Sequence, residues 1–485
     1  MSNRSPSPAL NGCQNLSTGL LGSLLIVALV GACIDFRMGL PQPLLLEHPF
    51  PWIPGSGMDV VNREVLSLLA SLGLGALLMA AWERAAPRQR ILVLTGLMVS
   101  ATIPWVATLA GGSPWIELGV GRLSRLETGL LASYAFSTAV VVAVALPRWR
   151  GARLAPVGWA LRTAFWRWLA GLVPFTAVVM VSLRTPLYGA AIFEVWRFTC
   201  CALLSIYLFL GLPYAFLTNL WGAGLTDNLS DPGFVICLLA RSRRRLRALR
   251  RPSVRVTLLD LVVKTFFIPV MTVSFFLNVG FLVRAFIYQA VDGSYVFVTQ
   301  NATSFAFGLI GTMDISLGLL GYTCASRWLG NKTRSVDPSI GGWLVTLLCY
   351  PPLNFWTVGR LPLQEGPPVA AQVGIGLQLI SFAAFCVYVA STLAFGLRFS
   401  NLTYRGLIAR GPYAVVRHPA YASKIIGWWA ESARNIDTLP LFLIVVMVDG
   451  LYVLRAITEE RHLMRFEEYR DYCARVKFRF IPGVL

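Results

Sequence analysis

The residues best suited to chemistry gather in about the last ninety positions of the chain. They are Gly411-Pro412-Tyr413, Arg417-His418-Pro419-Ala420-Tyr421, Arg455, Glu459-Glu460, His462, Tyr469 and Tyr472, ahead of a closing Ile481-Pro482. Ionisable groups beside membrane-length apolar runs are costly, so they mark functional sites by default. Pro419 donates no N–H and biases His418 away from helix, and Gly411-Pro412 acts the same way a few residues earlier. The spacing predicts a looped segment over 410–421, with Tyr413, Arg417, His418 and Tyr421 free to face a ligand. Arg455, Glu459 and Leu463 recur every four residues and share a helix face, with Glu460 on the adjacent one. Tyrosine rings suit an organic cation, arginine suits a carboxylate, and histidine suits proton transfer. Each half alone also fits a plainer reading, an interfacial turn for Arg-His-Pro and a solvated ion pair for Arg455 and Glu459.

The elements that must position these groups are apolar helices. Of the 485 residues, 56% are hydrophobic and 13% charged, against about 25% charged in soluble domains. The mean hydropathy is +0.64, and apolar runs of about 20 residues recur along the length. The expected fold is an all-α, polytopic transmembrane bundle. Spans are predicted near 19–36, 65–83, 91–110, 128–147, 168–184, 199–220, 257–283, 303–325, 342–358 and 373–397. A C-terminal helical hairpin with a cytoplasmic tail follows, turning near 434–440. The first 18 residues read as a disordered cytoplasmic N-terminus, 19–397 as the multi-span region and 398–485 as a separate cofactor-binding module.

The net charge of +19 comes mostly from arginine in the short loops. Arginine-rich loops follow the even-numbered spans, which places both termini in the cytoplasm. That pattern reads against nucleic acid as a partner. The densest run, 241–255 (RSRRRLRALRRPSVR, from Arg241 to Arg255), fits a topology anchor or a site for anionic lipid headgroups. The excess of arginine over lysine suits a bacterial inner membrane. Nine cysteines lie singly apart from Cys200-Cys201, and the three histidines are His48, His418 and His462. Neither pattern suggests a metal site. Within the spans, Asp260 and Lys264 sit at pairing distance, while Asp314 is a candidate for lining a cavity.

Taken together, Gly-x-Tyr, His-Pro-x-Tyr, a hairpin, Arg-x-x-x-Glu-Glu-x-x-Leu and Tyr-x-x-Tyr closing in Ile-Pro resemble the isoprenylcysteine carboxyl methyltransferase family. The superfamily extends to phospholipid N-methyltransferases and bacterial membrane methyltransferases. The resemblance covers roughly 395–485. It implies an integral membrane enzyme that uses S-adenosylmethionine and acts on a lipophilic acceptor. By position, it implies that Tyr413, His418, Pro419, Ala420, Tyr421 and Glu459 line the cofactor. Arg405, Gly406, Leu407 and Ile408 would lie against it, and Arg455 would contact the acceptor. On chemical grounds Arg417 or Arg405 suits the cofactor's carboxylate. An amine or thiol acceptor would need a base, for which His418, His462 and Glu460 are candidates, with Arg455 as a partner for a carboxylate acceptor.

The pattern departs from the family after Tyr421. Ala422-Ser423-Lys424 stands where a small residue and glycine are usual, and Gly427-Trp428-Trp429 comes later. Lys424 and Trp428 are therefore expected on the acceptor side, together with Arg455. The closing Tyr472-Cys473 to Arg479 and Pro482 also resembles NADPH-dependent sterol reductases. The Glu459-Glu460 pair with Leu463 favours the methyltransferase. A non-enzymatic transport or lipid-handling protein is the remaining alternative.

Overall fold

The computed structural model describes residues 87–109, 115–118, 121–149, 154–186, 249–291, 299–323, 331–361, 371–433 and 438–483, with isolated positions at 78 and across 200–247. The expected spans at 19–36 and, but for one residue, 65–83 lie outside the described residues. The described chain is mostly helical. Helices α1 (Pro87–Leu109) and α2 (Arg125–Trp149) pack together across a two-stranded ribbon, β1 (Trp115–Leu118) and β2 (Gly121–Ser124). Their buried seam is polar as well as apolar. Ser100 Oγ meets Ser137 Oγ at 2.6 Å, and Ser133 Oγ donates to the Ser100 carbonyl at 2.8 Å. Hydroxyls that return their hydrogen bonds to a neighbouring helix let two apolar helices approach without stranding a polar group.

Helix α3 (Val157–Arg184) follows, then α4 (Pro252–Val291) and α5 (Thr299–Thr323). The last two pack side by side, with Phe267 stacked on Tyr322 at 5.3 Å. A second short ribbon pairs β3 (Ser335–Val336) with β4 (Thr403–Tyr404) in antiparallel register. Between its strands lie α6 (Ile340–Leu347) and α7 (Ala371–Phe395). The chain ends in α8 (Pro419–Ser432), α9 (Leu439–Leu463) and α10 (Glu467–Arg475). Among the described residues, four stretches are long and apolar enough to cross a membrane: Val157–Val181, Pro252–Phe275, Val373–Arg398 and Leu439–Leu463.

The span expected at 342–358 is not formed. α6 has eight residues, about 12 Å of helix against a hydrocarbon core of about 30 Å. Pro351 and Pro352 supply no N–H to continue it, and the chain passes into short 3-10 turns at Leu353–Trp356 and Val358–Arg360. α6 begins instead as a capped helix: Ser339 Oγ accepts from Gly342 N at 3.2 Å, satisfying one orphan donor of the first turn.

The C-terminal helices are held by a shared core. Trp428 of α8 packs with Val445, Val448, Leu451 and Tyr452 of α9 and with Cys349 and Leu361. α8 also comes close to α7, because a Cβ at Gly427 would meet the Phe385 ring at 2.8 Å. The β3–β4 pair and the contacts of α7 with α8 cross position 398, where the composition shifts.

Candidate functional site

The looped segment before α8 is tied down by the end of the chain. Arg417 N donates to the Phe478 carbonyl at 2.9 Å and His418 N to that of Arg479 at 2.8 Å. Tyr472 OH donates to the Tyr413 carbonyl at 2.7 Å. Pro419 occupies the first turn of α8, where its missing N–H is harmless and its fixed φ is helical. His418 therefore stands as the residue before the helix, its ring stacked on Tyr421 with centres 5.6 Å apart.

Glu460 is the anchor of this arrangement. Its Oε1 lies 3.1 Å from His418 Nε2 and 3.2 Å from Arg417 Nη1, and its Oε2 lies 2.9 Å from Arg479 Nε. A buried carboxylate is tolerated when its charge and lone pairs are met in this way. Burial pulls the Arg417 guanidinium down, but Cys473 and Glu460 beside it outweigh burial and hold it above its ordinary value.

Glu459, one residue earlier, points elsewhere. It accepts from Tyr421 OH, and Arg455 Nε lies 3.4 Å away. Arg455 is buried, donates to Asn401 Oδ1, and lies over the rings of Tyr421 and Tyr350 at 5.3 and 5.6 Å. Two adjacent glutamates are thus divided. One closes a structural clamp, and the other presents a partly exposed carboxylate to a cavity.

That cavity, about 230 Å³, lies between the 398–408 loop, the His418 turn and α9. Arg405, Gly406, Leu407, Ile408, Tyr413, Arg417, His418, Ala420, Tyr421 and Glu459 all line it. So do Arg455, His462 and Lys424. Pro419, Glu460 and Trp428 are not in its wall: Pro419 starts the helix, Glu460 holds the clamp, and Trp428 packs edge-on against Tyr452 at 4.9 Å. Gly406 adopts φ +119°, a conformation that favours glycine.

No family model matches the chain, and no curated protein or solved structure matches it. The chemistry of the site therefore rests on its own residues. The wall has hydrogen-bonding capacity to spare. Arg405 is 2% exposed and donates from Nη1 to the Gly321 carbonyl, yet its Nε and Nη2 have no partner among the described residues. Burial, partly opposed by Asp260, lowers this guanidinium below its ordinary value. Asn401 Nδ2 and both ring nitrogens of His462 are likewise buried and without partners among the described residues. Buried polar groups in folded proteins are nearly always paired, so such a concentration calls for a ligand or bound water. Among the described residues no group of three His, Cys, Asp or Glu could hold a metal ion.

The sequence reading missed part of the wall. Asn401, Tyr350, Asp337, Tyr388 and Thr392 lie 50 or more residues before the motifs of α9 or in a loop with no pattern of their own. Asp314 was legible as an isolated carboxylate in an apolar helix, and it does line the cavity.

Proposed function

We propose that the chain is an integral membrane methyltransferase that uses S-adenosylmethionine and a lipophilic acceptor. One observation carries this reading. Every position that the family resemblance or the carboxylate chemistry assigns to the cofactor lines a single cavity, Pro419 excepted, although those positions come from three separate segments. The proposed topology is a polytopic bundle of the other expected spans and a C-terminal hairpin, with the C-terminal tail in the cytoplasm of a bacterial cell, so that a soluble cofactor reaches the cavity from that side.

The residues present fit such a cofactor. When bound, it supplies an electrophilic methyl group on a sulfonium centre. Arg405 offers an unpaired Nε–Nη2 edge, the geometry that grips two carboxylate oxygens side by side. Glu459 offers negative charge toward the positive end. Its carboxylate is fixed by the Tyr421 hydroxyl, which in turn fixes the ring stacked on His418. Tyr413 and Tyr421 give aromatic faces for a cation or a purine. Displacement at the methyl group needs alignment above all, which a preformed wall of this kind provides.

Of the three candidate bases, two are occupied with each other: His418 Nε2 and Glu460 Oε1 lie 3.1 Å apart. His462 lines the cavity with both nitrogens unengaged among the described residues. We assign the proton-accepting role to His462, for an acceptor that must lose a proton. Glu460 becomes a positioning residue.

The reading is tested on purified protein in detergent. S-adenosylmethionine or its demethylated product raises the thermal midpoint, and NADPH does not. Glu459→Gln removes the response while expression persists. Stabilisation by NADPH alone would replace this reading with the reductase one.

A further inference from the structure

Beyond Glu459 the cavity has a second pole, built by α5, α7 and α8. Asp314 of α5 accepts from Tyr388 OH and, at 2.7 Å, from Thr392 Oγ1, both on α7. Each carboxylate oxygen is thereby engaged. Lys424, one helical turn beyond Ala420 on α8, reaches the same wall. Its Nζ lies 4.3 Å from the centre of the Tyr388 ring and 5.8 Å from that of Tyr452. The described residues give Lys424 these ring contacts, the charge of Asp314 and the opposing charge of Arg455, but no side-chain hydrogen bond and no ion pair within reach.

An ammonium carries three donors. Taken out of water without acceptors it is costly, and aromatic faces return only part of that cost. Asp314 lends its field to Lys424, but its oxygens already serve two hydroxyls. In the wall Arg405, Lys424 and Arg455 face Asp314, Asp337 and Glu459, and Arg417 is met by Glu460 outside it. A sulfonium cofactor with an ammonium and one carboxylate adds a further positive charge. The molecule that joins it must bring the negative charge.

We infer that Lys424 forms a subsite for the anionic head of an amphiphile, a phosphate or carboxylate carried on a lipid chain. The oxygens of that head accept the Lys424 donors beside the Tyr388 face, while Asp314, held by Tyr388 and Thr392, keeps the ammonium aimed into the cavity. Calling this amphiphile the methyl acceptor rests on the methyltransferase reading. The anion subsite rests on the cavity alone.

The test uses the full chain in an uncharged maltoside detergent. Thermal midpoints are followed while phosphatidylglycerol, palmitate or, as control, phosphatidylcholine is titrated. Wild type and Lys424→Arg respond to phosphatidylglycerol, to palmitate or to both, beyond phosphatidylcholine, and Lys424→Met loses about tenfold in apparent affinity, as expected for one charge-assisted contact. The arginine-rich run at 241–255 contributes equally in all variants and cancels. A response to phosphatidylglycerol alone identifies the head as phosphate, and a response to palmitate alone as carboxylate. If Lys424→Met does not fold, Lys424→Met with Asp314→Asn removes both charges and takes its place. Equal anionic responses in wild type and the charge-free variant overturn the subsite, as does a wild type with no anionic response. The demethylated cofactor is titrated in parallel. If it fails to stabilise the wild type while the Lys424-dependent response persists, the methyltransferase reading fails and the subsite stands.

Discussion

Tyr421 donates its hydroxyl hydrogen to Glu459, thirty-eight positions later in the chain, while its ring lies parallel to that of His418. One side chain thereby joins the turn before α8 to the face of α9. Removing the hydroxyl with Tyr421→Phe leaves the stacking surface but frees the carboxylate. The expected result is a loss of about tenfold in affinity for S-adenosylmethionine, with a stability change of about 1 kcal/mol. Calorimetric titration in detergent measures the first, and an unchanged affinity would show that the Tyr421–Glu459 bond does not shape the cofactor wall.

Glu460 and Glu459 are expected to separate cleanly on mutation. Glu460→Ala leaves His418 and Arg417 buried around a missing charge, a change that costs about 3 kcal/mol when a buried partner is lost. Glu459→Gln keeps its hydrogen bond to Tyr421 and is expected to cost less than about 1 kcal/mol. Thermal midpoints of the two variants, compared without ligand, decide this. A Glu460→Ala protein as stable as wild type would remove Glu460 from its anchoring role.

His462 should behave in the opposite way. Its nitrogens have no partners among the described residues, while its ring lies edge-on to Phe466 with centres 6.2 Å apart. His462→Leu exchanges an unsatisfied polar group for an apolar one of similar bulk. A rise in stability of about 1 kcal/mol is expected. Transfer of labelled methyl groups into extracted lipid should fall at least a hundredfold, as expected for loss of general base catalysis. If stability falls instead, His462 is held by a partner and its assignment as proton acceptor is lost.

The tyrosines outside the spanning helices predict a weakness in alkali. Burial raises the phenols of Tyr413, Tyr469 and Tyr472, with Glu459 or Glu460 and neighbouring side chains adding to the effect. Each is therefore protonated in the folded chain at pH values where the unfolded chain has begun to ionise, near pH 10. The stability these groups contribute is complete below that point and is lost as pH rises through the folded values. The slope is about 1.4 kcal/mol per pH unit for each tyrosine. Tyrosinate absorbance and the thermal midpoint, followed together from pH 8 upward, should change at the same pH. Early ionisation with no loss of stability would contradict the burial of these rings.

The sequence was most legible where covalent chemistry restricts the backbone. Gly411-Pro412 and His418-Pro419 predict a looped segment over 410–421, and the structure has a 3-10 turn at Gly411–Ala414. The helix, however, begins at Pro419, so Pro419 to Tyr421 are helical, because proline suits a first turn. Arg455 and Glu459 meet at 3.4 Å along one turn of α9, as their spacing requires. Proline also explains the error at 342–358, where apolar composition alone suggested a span but Pro351-Pro352 ends the helix early.

The sequence by itself determined that the chain is rich in apolar helices, where its polar motifs lie, and how far apart in angle two residues on one helix must be. It placed Glu459 and Glu460 about 100° apart around α9, but not which of them faces the cavity. Tertiary packing decided that, by laying Arg417, His418 and Arg479 against Glu460 and Tyr421 against Glu459. It also brought Asp314, Tyr388 and Thr392 to Lys424, and Asn401 to Arg455. Helical periodicity is a local property, carried by neighbours three and four residues away. These meetings span 19 to more than 100 residues and depend on which helix faces pack together, a choice made by the whole buried surface and not by any one motif.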